Sequence, residues 1–280
     1  MSFIVVNGQL QKAAEPALLI TNRGYRYGDG LFETIKVSRG RILLSDLHFD
    51  RLFKGLALLQ YEIRRFFDRG KLETEILQLC EKNNCAGLGR VRLSVFRGNG
   101  GLYDPGDRTV QYAIECWPLD ESANELNENG LVIDIYPGAR KSTDDFSALK
   151  SANAIPYSMA AIYARDHKLN DCLLLNSDGR LADSSIANLF IIKNNQVLTP
   201  GPGQGAVQGV MRRYLLEQFP ALGLEAVETV ISPADLAAAD ELFLTNAIKG
   251  IRWVRQCGQK EYTHTRTSGI YQSIVRTIWS

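Results

Sequence analysis

The sequence predicts an α+β protein of two domains, and three observations carry that expectation. Runs of strand length are joined by the turn pairs Asn7-Gly8, Arg39-Gly40 and Asn194-Asn195, helical spacing fills segments between them, and a polar stretch without apolar period spans 120–130. At 280 residues the chain can bury two modest cores. The expected division is a small N-terminal domain over 1–119, a linker over 120–130 and a larger domain over 131–280.

The chain opens with a strand at 3–6 that turns at Asn7-Gly8 into a hairpin. Its apolar lead is short, has no basic start and runs straight into the turn, so it reads as a strand and not as a signal peptide. Residues 21–44 place three glycines before apolar positions at Leu31, Phe32, Ile35 and Val37, which reads as a loop entering a strand, with Arg39-Gly40 turning into 41–44. Residues 45–60 begin with Ser45 or Asp46 as a cap and set Leu47, Leu52, Leu56 and Leu59 near one helix face. A second helix over 67–83 follows from Leu72, Ile76, Leu77 and Cys80. Residues 90–96 alternate as a half-buried strand, 97–103 form a glycine loop, and 109–117 return as a strand.

In the second half, 131–136 read as a strand, and a helix starts at Ile155 with Pro156 tolerated in its first turn and Met159, Ala160 and Tyr163 facing inward. A hairpin covers 187–198. Glycine or proline at Gly201, Pro202, Gly203, Gly205 and Gly209 then lets the backbone come close to a ligand. Helical spacing resumes with Val210, Tyr214 and Leu215 on one face and Arg212 and Arg213 off it. The amides and positive end of that helix suit a phosphate, while an ordinary cap after a loose loop reads equally well. Residues 240–247 are a buried strand ending in Thr245-Asn246, and 267–279 close the chain as an amphipathic helix.

Composition excludes several classes. Formal net charge is +1 with no basic or acidic run, so neither a nucleic-acid nor a membrane partner is expected, and no apolar stretch reaches membrane-spanning length. A soluble, cytoplasmic protein is the expectation. The five cysteines, Cys80, Cys85, Cys116, Cys172 and Cys257, lack CxxC or His-paired spacing and read as free structural thiols in a reducing compartment. His48, His167 and His264 share no ligand spacing, so no metal site is expected.

Two strings go beyond this reading. NRGYRYGDGLFET at 22–34 and ADSSIANLFII at 182–192, the latter leading to Gly209-Val210-Met211-Arg212, resemble the signatures of the class IV aminotransferase family, the fold type IV pyridoxal-phosphate enzymes. The cup and Ala187-Asn188-Leu189-Phe190 are closer to the 4-amino-4-deoxychorismate lyase branch than to the threonine-bearing aminotransferase form. What the resemblance implies is a small N-terminal α/β domain, a larger domain built on a mixed sheet or barrel, pyridoxal 5'-phosphate in the cleft between them, and a homodimer.

The resemblance also assigns roles. By spacing alone Arg51 is a solvated helix arginine, but the H-x-x-R-L pattern with His48 matches the family's phosphate-reaching arginine, whose fork suits two oxygens. Nothing in periodicity marks Lys150; its place before Asn153 and a helix matches the lysine that bonds the cofactor aldehyde. Asp183 stands where the family usually has glutamate facing the pyridine nitrogen, and is one methylene shorter; it reads otherwise as a plain turn residue. Val210 and Met211 supply the phosphate cup, and Asn246 and Ala247 replace a Ser or Thr pair, as in the lyases. Thr34 and Arg97 are candidate contacts for a small amine substrate, Arg97 reading equally as a turn arginine. The leading implied activity is conversion of 4-amino-4-deoxychorismate to p-aminobenzoate and pyruvate in folate biosynthesis. The alternatives are a branched-chain or D-amino-acid aminotransferase and a non-catalytic protein that retains the fold.

Overall fold

The structure, a computed structural model, describes residues 2–279. The chain divides into two compact units, Met1–Ala123 with Lys150–Asn153, and Asn124–Leu149 with Ala154–Ser280.

The first unit contains β1 (Phe3–Val6), β2 (Gln9–Lys12), α1 (Arg23–Tyr27), β3 (Gly30–Ser38), β4 (Arg41–Ile42), α2 (Ser45–Leu58), α3 (Arg69–Lys82), β5 (Leu88–Arg97) and β6 (Val110–Pro118). Its sheet runs β2-β1-β6-β5-β3-β4, antiparallel throughout. Asn7 at φ 49° and Gly8 at φ 84° make the expected first turn. Alternation sends Ile35, Val37, Val91, Leu93 and Ile114 into a core closed by Leu52 and Leu56 of α2 and Leu72, Ile76 and Leu79 of α3, all fully or nearly buried.

Two local expectations differ. Residues 23–27 are not loop but a helical turn, because Asn22 Oδ1 accepts from Tyr25 N–H at 3.4 Å and Gly28 closes the turn at φ 62°. Neither Ser45 nor Asp46 caps α2. Leu44 holds that position at φ 53° without a side-chain bond, while Ser45 donates to Glu73 and Asp46 pairs with Arg69, both on α3. Packing of the two helices takes the polar groups that the cap would have used.

The second unit contains β7 (Leu131–Lys141), α4 (Ile155–Asp166), β8 (Asp171–Asn176), β9 (Leu181–Ser184), β10 (Asn188–Lys193), β11 (Gln196–Pro200), α5 (Val210–Gln218), β12 (Ala226–Thr229), α6 (Pro233–Ala238), β13 (Glu241–Asn246), β14 (Gly250–Cys257), β15 (Lys260–Glu261), α7 (Thr265–Ile270) and α8 (Arg276–Trp279). Strands β10, β13, β14, β7, β8 and β9 follow one another, and β9 pairs back onto β10, so six strands close into a barrel. The closing pair is Asn188 with Asp183. Strands β14, β7 and β8 run parallel, with α4 as the crossover between β7 and β8.

On α4 the buried side is the small pair Ala160 and Ala164, over which Tyr157 and Tyr163 pack. Met159 is instead exposed, as are Ile155 and Ile162 on the same stripe. The inward expectation therefore holds for Ala160 and Tyr163 and fails for Met159, one position round the helix from Ala160. Arg212, expected off the buried face, is buried, and the expected closing helix is interrupted by a π-helical turn at Tyr271–Val275. No helix among the described residues is long and apolar enough to cross a membrane.

Candidate active site

Strand β3 of the first unit presents different chemistry on its two sides. Leu31, Ile35 and Val37 share one side with Glu33, so folding places a carboxylate on an apolar face. It survives there because α2 brings two partners one turn apart. Arg51 Nε and Nη2 donate to Glu33 at 2.8 and 2.5 Å, and His48 Nδ1 lies 2.6 Å from Glu33 Oε2. Burial pushes the Glu33 carboxyl up, but the Arg51 charge and the His48 hydrogen bond outweigh it and hold Glu33 at about 2. Burial pushes His48 the other way, below its ordinary value, against the pull of Glu33. His48 is therefore neutral at pH 7, with its proton on Nδ1 toward Glu33.

On the opposite side of β3 stand Phe32, Thr34 and Lys36. Arg92 of β5 pairs directly with Thr34, donates from Nε to Ser94 Oγ at 3.0 Å, and lies with Cζ 3.9 Å from the Phe32 ring centre. Lys150 Nζ is 4.4 Å from the same ring centre. The lysine's backbone is stitched to β3: Phe32 N–H donates to Lys150 O at 3.0 Å, Ser151 bridges Leu31, and Ala152 N–H reaches Gly30 O at 2.9 Å. Phe32, Thr34, Arg92 and Lys150 thus meet on one surface. Arg97 does not join them. Its guanidinium donates to Asp29 and to the Leu59 carbonyl and covers the Tyr61 ring, and the residue is buried.

In the second unit Asp183, Asn188, Asn246 and the start of α5 converge. Asn188 pairs with Asp183 on one side and with Thr245 on the other, directly before Asn246. Its Nδ2 donates to Val207 O at 2.8 Å, and a Cβ on Gly209 would overlap its Oδ1, so only glycine fits where the loop enters α5. Gly209 is the N-cap of α5 and no side chain caps it, which leaves the first amides, those of Val210 and Met211, pointing out of the helix end. Arg212 turns away into the core, where it donates to Pro200 O and Glu228 at 2.7 and 2.6 Å and so anchors that helix end to β11 and β12. Asn246 closes the next turn, its Oδ1 accepting from Ile248 and Lys249 N–H at 3.1 and 2.9 Å; Ala247 lies inside that turn.

Asp183 Oδ2 accepts from Lys141 Nζ at 2.9 Å, Tyr157 OH at 3.0 Å and Val207 N–H at 3.0 Å. Burial and then the Asp183 charge raise Tyr157 above its ordinary value, keeping the phenol protonated. Asp183 Oδ1 is buried without a partner among the described residues. A buried carboxylate oxygen lacking a donor is costly, and a protonated ring nitrogen would satisfy it. The donor set therefore fits a pyridinium ring, and the uncapped α5 terminus fits a phosphate.

Sequence reasoning missed Glu33, Arg92, Lys141 and Tyr157. Glu33 was findable as an acid on the apolar phase of a strand, which requires buried partners, though the sequence does not say which groups supply them. Arg92 was findable as a cation on the polar phase of β5. Lys141 and Tyr157 left no local signal.

The closed barrel and the uncapped start of helix α5 fit the fold type IV class of pyridoxal-phosphate enzymes, and the chain belongs to the amino-transferase class IV family, which matches residues 30–257. Its cofactor is pyridoxal 5'-phosphate. The chain is 29% identical to an aminodeoxychorismate lyase of Bacillus subtilis over 256 residues, 88% of this chain and 83% of that protein. It is 26% identical to a D-alanine aminotransferase of Bacillus licheniformis over 246 residues, 87% of this chain and 84% of that one. Among solved structures, the branched-chain aminotransferase of Thermoproteus uzoniensis superposes with a TM-score of 0.90 at 20% identity, covering 99% of this chain and 95% of that one.

Proposed function

We propose that the chain is a pyridoxal-phosphate-dependent 4-amino-4-deoxychorismate lyase that releases p-aminobenzoate and pyruvate. What carries the reading is the phosphate cup, where buried Met211 stands at the position to which the family resemblance assigns a hydroxyl residue in the aminotransferase form. Asn246-Ala247 in place of a Ser or Thr pair supports it, as does the likeness to the Bacillus subtilis lyase.

When bound, the cofactor supplies a sink for the electron pair left at the amine-bearing carbon. We assign Lys150 as the residue that would bond the cofactor aldehyde and whose free amine would take the proton from that carbon. Asp183 Oδ1 would accept a hydrogen bond from the protonated ring nitrogen, and Lys141 and Tyr157 fix the carboxylate so that the shorter aspartate keeps one orientation. The Val210 and Met211 amides at the uncapped start of α5 would hold the phosphate, and in the first unit the family resemblance gives Arg51, oriented by Glu33, a role toward the same group. Asn246 and Ala247 shape the turn beside Asn188. For a substrate carboxylate, Thr34 with Arg92 is the better-placed pair, since the Arg97 guanidinium is engaged by Asp29.

Purified enzyme incubated with 4-amino-4-deoxychorismate should form p-aminobenzoate at many turnovers per chain. Absence of product at micromolar enzyme rules out the lyase. The likeness to the Bacillus licheniformis enzyme favours a second reading, a D-amino-acid or branched-chain aminotransferase. That reading predicts a change in cofactor absorbance on adding D-alanine or L-leucine without a keto acid. Gly209→Ala should weaken cofactor binding by about tenfold or more, because overpacking against Asn188 shifts the amides. Titrating apoenzyme with pyridoxal phosphate measures it.

The exposed stripe Ile155, Met159 and Ile162 on α4 supports reading the protein as a homodimer. Light scattering of the purified chain tests this.

A further inference from the structure

Three of the five cysteines meet in the first unit. The sulfurs of Cys80, Cys85 and Cys116 all lie within 4.8 Å of one another, and all three residues are buried. Their spacing along the chain, without CxxC or His-paired pattern, does not announce this.

Two backbone devices build the cluster. Helix α3 ends with Asn84 at φ 56°, Asn84 N–H donating to Glu81 O at 3.1 Å and Cys85 N–H to Cys80 O at 2.9 Å. This paired turn presses the residue after the left-handed position against the one five back, ordinarily as an apolar contact; here both are cysteine. On the facing strand, Gly89 of β5 leaves the room in which the Cys85 thiol sits, since a Cβ there would lie 3.3 Å from Cys85 Sγ. Cys116 of β6 forms the third corner. Its sulfur accepts from Asn83 Nδ2 at 3.2 Å and lies 3.6 Å from Leu79 O. Asn83 is itself clamped to β1 through Phe3 N–H at 2.8 Å and Phe3 O at 2.9 Å.

We propose that Cys80, Cys85 and Cys116 are a three-thiolate binding site for one soft, thiophilic metal ion of the Cu(I) or Cd(II) type. A metal–sulfur bond of about 2.3 Å in a trigonal plane sets sulfurs about 4 Å apart, a spacing the cluster meets with small rotations about the three Cα–Cβ bonds. All-sulfur donors select soft ions over magnesium or calcium, and three donors suit a trigonal ion better than tetrahedral zinc. Binding a divalent ion displaces three thiol protons to solvent and leaves the site with one net negative charge. The ion enters through the α3 terminus, where Asn84 is exposed.

The test titrates cofactor-loaded protein with cadmium chloride under argon and follows the thiolate-to-cadmium ultraviolet absorption. An end point of one ion per chain is expected, retained when Cys172→Ala and Cys257→Ala are combined and lost in Cys116→Ser. Cadmium X-ray absorption on the wild-type protein should count three sulfur neighbours, which keeps the test valid if the serine variant does not fold. No absorption, an end point that disappears with Cys172 and Cys257, or fewer than three sulfurs each overturns the site.

Discussion

Lys150→Ala is expected to lower turnover by about 10³- to 10⁴-fold while leaving the fold intact, since it removes both the covalent anchor and the proton acceptor assigned to that amine. The segment is held by its backbone: Phe32 and Ala152 exchange main-chain bonds with Lys150 and Gly30, so alanine keeps the register. Borohydride treatment of the wild-type protein with pyridoxal phosphate should tag one peptide, the one containing Lys150, and the variant should take no tag. Lys141 is the informative competitor, because its amine sits on Asp183 and covers the Tyr157 ring. A tag on Lys141, or on any lysine other than Lys150, would overturn the assignment.

The largest stability effect should come from Glu33→Gln. In the folded chain the Glu33 carboxyl is lowered from 4.5 to about 2, a difference worth about 3 kcal/mol of folding stability. Because the folded value lies below the unfolded one, this contribution is complete above about pH 5 and is lost as pH falls from 4.5 through 2. Glutamine leaves the partly buried Arg51 charge without its counter-ion, so a loss of about 3 kcal/mol is expected at pH 7. Urea unfolding from pH 7 down to pH 3 measures both features: the wild type should lose stability across the acid range and approach the variant, whose own curve is flatter. A variant within about 1 kcal/mol of wild type at pH 7 would sink this account.

The same carboxylate shows where sequence legibility stops. The strand around Glu33 and the helix around Arg51 both follow from periodicity, and the individual residues stand in a motif that resembles the family's. That one fork would close on the other was not legible, because a strand's two-residue period and a helix's turn specify faces and not which faces meet. Arg97 and Arg212 make the same point. Each is a charged residue in or beside a glycine-rich loop, where ligand binding is the natural reading, yet Asp29 and the Leu59 carbonyl take up one, and Glu228 and the Pro200 carbonyl take up the other.

Local order was decided by the sequence itself: Asn-Gly and Asn-Asn adopt the left-handed angles a tight hairpin needs, Pro156 opens a helix it could not continue, and glycine at 209 is the only residue that clears Asn188. Only the tertiary structure decided which distant groups share a site. Lys141, Tyr157, Asp183 and Val207 meet through closure of the barrel, and Cys80, Cys85 and Cys116 through packing of a helix end on a sheet. The reason is one of range: dihedral preferences and side-chain periods act over a few residues, whereas burial of apolar faces brings together groups far apart in the chain, and polar groups carried along must find their partners there.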